Sequence, residues 1–323
     1  MVTLTGAAAA GHCDNSVTKT KGQTVSVLKR KAVLMRLSIG LPGETRGDKD
    51  LTASVKSEHG LGFNAGKWLK QLFPTEALQD IKKLDNQARA YHAAVTLPFD
   101  NGVGILPAAL ICEYGDRMRT LVGQRDVLIE SFLSNPQRWI DWAMNEHNGS
   151  FNPDLYPGCH KQCLPGEPER YVVDEAMWAQ DMRDKFNFKT EPLPVPDSEH
   201  FETNVKDLLG IDTNSVDKRV EDATKEAQRE ILKRMIEPVK HMAAKLKEDA
   251  PRIFKTLVSN IDDIAKLAPK LNLTGDPEID RLAGELSQLT SVSVEGLKDN
   301  ASTRNDVRVK AEEVLERLSG YQL

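Results

Sequence analysis

The feature that most constrains this fold is one apolar stripe running through 216–247. Val220, Ala223, Ala227, Ile231, Met235, Val239, Met242 and Leu246 recur at steps of three and four, a mean period of about 3.7 residues, and Lys, Arg, Glu and Asp dominate the positions between them. That period lays the apolar side chains along one face of a long α-helix. A stripe so narrow cannot make a core by itself. It needs a neighbouring helix or a second chain to cover it. Ile231, Met235, Val239 and Met242 lie at its centre, so they are the residues expected to carry self-association into a homo-oligomer. Within the chain, the candidate neighbour is the set Ile253, Leu257, Ile261, Ile264, Leu267 and Leu271, which follows Pro251. Pro238 should kink the long helix.

A second pair of helical patterns brackets two prolines. Leu84, Ala88, Tyr91 and Val95 share one helical face; Ile111, Tyr114, Met118, Leu121, Arg125, Leu128 and Phe132 share another. Between them lies Leu97-Pro98-Phe99-Asp100-Asn101-Gly102, followed by Ile105-Leu106-Pro107. The residue before a proline is pushed out of the α region, and proline is well placed to open a helix. The expectation is a helical hairpin with a stiff turn. Arg125 sits on its apolar seam. It is read either as a side chain that snorkels to water or as the partner of a buried carboxylate.

Elsewhere the patterns are shorter. Residues 1–22 are rich in Ala, Gly, Thr, Ser and Lys without a period and read as a mobile arm. Residues 23–41 alternate β-branched and polar residues, which predicts one or two strands. Residues 50–57 and 65–73 read as short helices, and 148–170 as a long irregular loop. Glu191-Pro192-Leu193-Pro194-Val195-Pro196 opens an extended connector over 191–202. Asp276-Pro277-Glu278 is a strong helix start. The fold expected is mainly α: elongated helical hairpins or a coiled-coil-like bundle with a small N-terminal β element. Its divisions are an arm (1–22), a β element with a helical-hairpin domain (23–190), the connector (191–202) and a long-helix C-terminal region (203–323).

Composition narrows the function classes. Aromatics are 6% and charged residues 28% of the 323 residues, a lean core under a charged surface. No apolar run approaches the ~20 residues that cross a bilayer, so no membrane partner is expected. The stretch 4–11 is mostly alanine and lacks a basic leader, unlike a signal peptide. Four scattered cysteines suit a reducing cytoplasm better than a disulfide framework. The net charge of −5 is unevenly spread: residues 1–46 carry seven basic and two acidic side chains, about +5, and the rest about −10.

Three constellations invite chemical readings. His147, Cys159, His160 and Cys163 flank or lie in the irregular loop and are the candidate zinc ligands. Their Cys-x3-Cys spacing has no second pair, and the alternative is a loop with reduced thiols and no cofactor. Lys29, Arg30, Lys31 and Arg36 form a basic stretch able to neutralise phosphates, against the alternative of a solvated edge strand. Aromatics to stack bases are missing there. Gly60-Leu61-Gly62-Phe63-Asn64-Ala65-Gly66-Lys67 has the small-residue spacing of a dinucleotide loop without the apolar strand that must precede one, and it reads as a turn before a helix.

Several short motifs carry a resemblance: Ala88-Arg89-Ala90-Tyr91-His92, Thr96-Leu97-Pro98-Phe99, Ile105-Leu106-Pro107-Ala108-Ala109, Phe151-Asn152-Pro153-Asp154-Leu155-Tyr156-Pro157 and Leu271-Asn272-Leu273-Thr274-Gly275-Asp276-Pro277. Together they resemble an uncharacterised, helical family of tailed-bacteriophage proteins over about Val33–Leu289. The family has no assigned function, so it lends no catalytic residues. Gly158–Asp174 looks like an insertion relative to it. The resemblance implies a non-enzymatic phage protein in the host cytoplasm or the virion, working by helix-mediated contact with itself or with another phage or host protein. Such a protein serves as a virion component, an accessory to a phage ATPase or an inhibitor of a host defence complex. The alternatives are a nucleic-acid-binding protein of phage replication or recombination and a metal-dependent enzyme.

Overall fold

The computed structural model describes residues 28–165, 168–196, 214–247 and 253–321. The arm expected at 1–22, the second half of the connector (197–202) and the residues that follow it up to 213 lie outside those residues. The chain is mainly α with a small sheet near its N-terminal end.

Of the alternating stretch, 23–27 lie outside the described residues, 28–31 form a helical turn, and 32–40 form β1 (Ala32–Gly40). β2 (Thr45–Gly47), α1 (Lys49–Glu58) and β3 (Leu69–Gln71) follow; 65–73 is turn and strand where a short helix was expected. α2 (Gln79–Val95) leads to β4 (Leu97–Asp100) and β5 (Val103–Pro107), and then α3 (Ile111–Leu133) and α4 (Gln137–His147). Residues 148–170, expected to be irregular throughout, contain β6 (Cys159–Gln162), which pairs with β7 (Arg170–Val173). α5 (Glu175–Arg183) and β8 (Asn187–Leu193) complete this half. The remainder is α6 (Asn214–Leu246), α7 (Lys255–Leu271), α8 (Pro277–Leu289), α9 (Val294–Asp299) and α10 (Ala301–Gly320).

α2 and α3 pack against each other, and the segment between them, expected to be a stiff turn, is a β-hairpin. Its two halves are strands. Asn101 and Gly102 both have positive φ, 46° and 75°, as a two-residue primed hairpin turn requires. The Asn-Gly pair is the strongest short hairpin signal, and the prolines on either side concealed it. Pro98 is tolerated because β4 is at one edge of the antiparallel sheet, ordered β4-β5-β1-β8. Gly104 is required by close approach: a Cβ there would lie 2.6 Å from the Thr96 side chain. At the other edge, β8 pairs with β1 as far as Leu193, so the supposed connector begins as a strand.

α6 lies against β4 and is flanked by α7 and α10. Its stripe is therefore covered from within the chain. Ile231, Met235, Val239 and Met242 are all buried among the C-terminal helices and the sheet. This corrects their assignment as a self-association surface, because a side chain already removed from water offers nothing to a second copy. α6 runs through Pro238 as one helix. Arg234 on α6 donates to the carbonyls of Ala94 (2.8 Å) and Thr96 (3.0 Å), satisfying acceptors at the end of α2. The start of α8 is as expected: the Asp276 side chain accepts from the Glu278 amide at 3.0 Å, with Pro277 at the first position.

The apolar residues fall into two clusters. The first joins the sheet to α6–α10 and the near halves of α2 and α3 (Ala88, Val95, Tyr114, Met118, Leu121). The second holds Phe73, Ile81, Ile129, Phe132, Trp139, Trp178 and their neighbours. α2 and α3 span both. Where they pass from one to the other, Arg125 Nε donates to Asp85 Oδ1 at 2.7 Å, and Arg125 Nη2 donates to the Gly40 carbonyl at 2.8 Å. Both side chains are buried. The guanidinium lies over the rings of Phe186, which belongs to the second cluster, and Phe188, which belongs to the first. Of the two readings of Arg125, the buried carboxylate partner is the one found.

A buried pair of this kind is costly to break, because the surviving charge is left unpaired in an apolar setting. Asp85→Ala is expected to destabilise the fold by about 3–5 kcal/mol in urea denaturation. Asp85→Leu combined with Arg125→Met should recover most of that loss. A double variant as unstable as the sum of the single ones would show that the charges are not acting as a pair.

Candidate functional site

The loop joining α1 to β3 is the surface that departs most from an ordinary polar exterior. It presents four large apolar side chains to water: Leu61 (47% exposed), Phe63 (93%), Trp68 (51%) and Leu69 (58%). Single exposed apolar residues are common on protein surfaces, whereas four within nine positions concentrate apolar exposure in one segment. Below it, α1 and the turn around Asn64 enclose an open cavity of about 630 Å³, lined by Lys49, Thr52, Lys56, Phe63 and Lys67 among others.

The loop is held at both ends, and at the first the Leu61 amide donates to the Lys56 carbonyl at 2.8 Å. The Asp48 amide donates to the Trp68 carbonyl at 3.0 Å, and the Trp68 amide donates to Thr52 Oγ1 at 2.9 Å. Asp48 also caps α1, accepting from the Leu51 amide at 2.9 Å. Its carboxylate meets Lys70 Nζ at 2.6 Å, with both side chains buried. Lys70 donates in turn to the Ser150 carbonyl. Burial by itself would raise the Asp48 pKa, but bonds from Lys70, Leu51 and Asn152 outweigh it and hold the carboxyl below the usual carboxylate value. At the tip, Lys56 Nζ donates to the Phe63 carbonyl and stands 5.5 Å from the centre of that ring.

The β2–β3 ribbon beneath the loop rests on 147–156. Arg46 donates to the Leu155 carbonyl at 2.8 Å, and His147 Nε2 donates to the Gln71 carbonyl at 2.7 Å. The apolar loop is thus fixed to the scaffold on two sides. The turn that the sequence predicts at 60–67 is present, although a strand follows it rather than a helix. The signal that would have singled it out is the density of large apolar residues inside a stretch with no secondary-structure period.

The zinc candidates are not brought together. His147 is engaged with Gln71. Cys159 and His160 are successive residues of β6 and so project to opposite faces. Burial pushes the Cys159 thiol up to about 11, which favours the thiol over the thiolate that zinc binds. Cys163 is exposed, with its sulfur 3.6 Å from Glu169 Oε1. Among the described residues no three His, Cys, Asp or Glu side chains are grouped to hold a metal.

The basic candidates are divided between two elements. Lys29, Arg30 and Lys31 are exposed on the helical turn at 28–31, and Lys29 and Arg30 are engaged with other groups. Lys31 lies beside Gly275, while Arg36 is on β1, 3.5 Å from Glu191. Among the described residues no helix is long and apolar enough to cross a membrane.

No family model matches the chain, and neither a curated protein nor a solved structure matches it.

The buried Asp48–Lys70 pair gives the loop a defined acid response. Because the folded pKa of Asp48 lies below the ordinary 3.8, the pair's contribution is complete above that pH and is lost as pH falls through the lower folded value. Trp68 emission should therefore be constant from neutral pH down to about 4 and change below it. The Trp-to-Phe variants of Trp139, Trp142 and Trp178 isolate that signal. Asp48→Asn should show the low-pH emission already at pH 7.

Proposed function

We propose that this is a non-enzymatic binding protein: a helical scaffold that holds the 59–69 loop out to a protein partner. The observation that carries the reading is the exposure of Leu61, Phe63, Trp68 and Leu69 on a segment tied to α1 by hydrogen bonds. Keeping apolar side chains in water is unfavourable, by about 25 cal/mol for each Å² that a partner could cover. Here that unfavourable surface rests on a buried ion pair and a set of backbone bonds that hold it in place. Exposed aromatic residues on a pre-organised backbone are the usual anchors of protein interfaces, since they bury much area and lose little conformational freedom.

The contact is thereby moved from the helical stripe of α6, which the chain covers itself, to a loop. In the setting that the sequence resemblance implies, the partner is another phage protein or a host protein, and the roles follow from it: virion component, accessory to a phage ATPase or inhibitor of a host defence complex.

The test is cross-linking of the tagged full-length chain in the cells that naturally produce it, read by quantitative mass spectrometry. Phe63→Ser with Trp68→Ser should remove the specific partner while changing stability by no more than about 0.5–1 kcal/mol, as expected of surface positions. A partner retained at the parent level by a folded double variant would place the interface elsewhere.

A further inference from the structure

We propose that the partner docks through an acidic segment carrying one apolar anchor residue, with the anchor in the cavity between α1 and the Asn64 turn and the carboxylates on its lysine rim. This rests on the docking reading above and names the chemistry of what docks.

The charge arrangement carries it. Lys49, Thr52, Ala53 and Lys56 are spaced so that they share one face of α1, and that face lines the cavity. Lys67, from the segment after the Asn64 turn, lines the same cavity. Among the described residues neither Lys49 nor Lys67 has an ion-pair partner, and Lys56 is bonded to a carbonyl, which leaves its charge uncompensated. The acidic groups nearby do not cancel these charges. Asp48 lines the cavity but is spent on Lys70 at 2.6 Å. Asp50 and Glu58 lie about 100° or more round the helix from the centre of the lysine face. The opening is therefore basic, above walls that include the almost fully exposed ring of Phe63.

An anionic occupant follows from the lysines, and an apolar one from the ring. Leu61 and Leu69 decide between a peptide and a nucleic acid. Single-strand binding uses flat rings as stacking platforms along a cationic track. Here the aromatic pair is accompanied by two exposed aliphatic side chains, and Lys49, Lys56 and Lys67 line one cavity. Aliphatic side chains cover apolar side chains of another protein, and a compact basic rim fits a few carboxylates beside an anchor.

The experiment is selection of displayed random peptides on the full-length protein, with each recovered peptide re-measured by fluorescence anisotropy. The expected result is enrichment of peptides in which Asp or Glu flanks Leu, Phe or Trp. These should bind at least about tenfold more weakly to Lys49→Glu with Lys67→Glu, a loss of about 1.4 kcal/mol. A peptide with its carboxylates exchanged for lysines should bind that charge-reversed variant better than the parent, which shows that the variant is folded and that charge is what is read. Enriched peptides that depend on Phe63 and Trp68 but are neutral or basic would overturn this inference and leave the docking reading standing. No enrichment, or peptides indifferent to Phe63→Ser with Trp68→Ser, would overturn both. Tighter binding of oligothymidylate, or of phosphatidylserine vesicles, than of any selected peptide would also overturn the peptide assignment.

Discussion

The rest of the structure depends on one buried charge pair. Asp85 of α2 and Arg125 of α3 meet where those two helices leave one apolar cluster and enter the other. Each helix alone is amphipathic in the ordinary way. What distinguishes the pair is that both helices must serve two cores, and their apolar faces break at the same height. Arg125 fills the break from three directions: to Asp85, to the end of β1 at Gly40, and between Phe186 and Phe188. β1, α2, α3 and the return into β8 are thereby held at one point. An apolar side chain there would pack but would leave the Gly40 carbonyl without that donor.

The C-terminal helices show how far a pattern can be trusted. The stripe on α6 was legible residue by residue, and so were the start of α8 and the apolar face of α7. Their period is long, unbroken and matched by charges on the other faces. What a stripe cannot declare is who covers it. Sequence alone allowed a second chain; the structure supplies α7, α10 and β4. The sheet was harder to read for a local reason. Pro98 and Pro107 look like helix punctuation, yet each also suits an end of a short edge hairpin. The Asn101-Gly102 pair between them needed the hairpin reading to be recognised. β8 was hidden similarly, since three prolines over 192–196 suggest an extended connector and an edge strand tolerates one.

The candidate site was less legible still. Phe63 and Trp68 follow no period and belong to no motif, and the glycines around them drew attention to phosphate chemistry that the flanking residues do not support. Their meaning comes from exposure, which depends on distant residues: Lys70 reaching Ser150, and His147 reaching Gln71. The cysteines misled in the opposite way. Cys159, His160 and Cys163 are close in sequence, but the alternation of a strand separates the first two, and burial keeps Cys159 a thiol.

Scaffold and site are linked through the second core, because the β2–β3 ribbon that carries the loop lies against the segment after α4, and α4 packs there with α3. The central claim is that Asp85–Arg125 couples the two cores into one cooperative unit. Native-state hydrogen exchange tests it most directly. In the parent, the slowest amides of α4 and of α7 should exchange with the same free energy and the same dependence on denaturant, both reporting global unfolding. In Asp85→Ala the α4 amides should lose more protection than those of α7, as the second core opens separately. Equal loss in both helices, or none in either, would contradict the account.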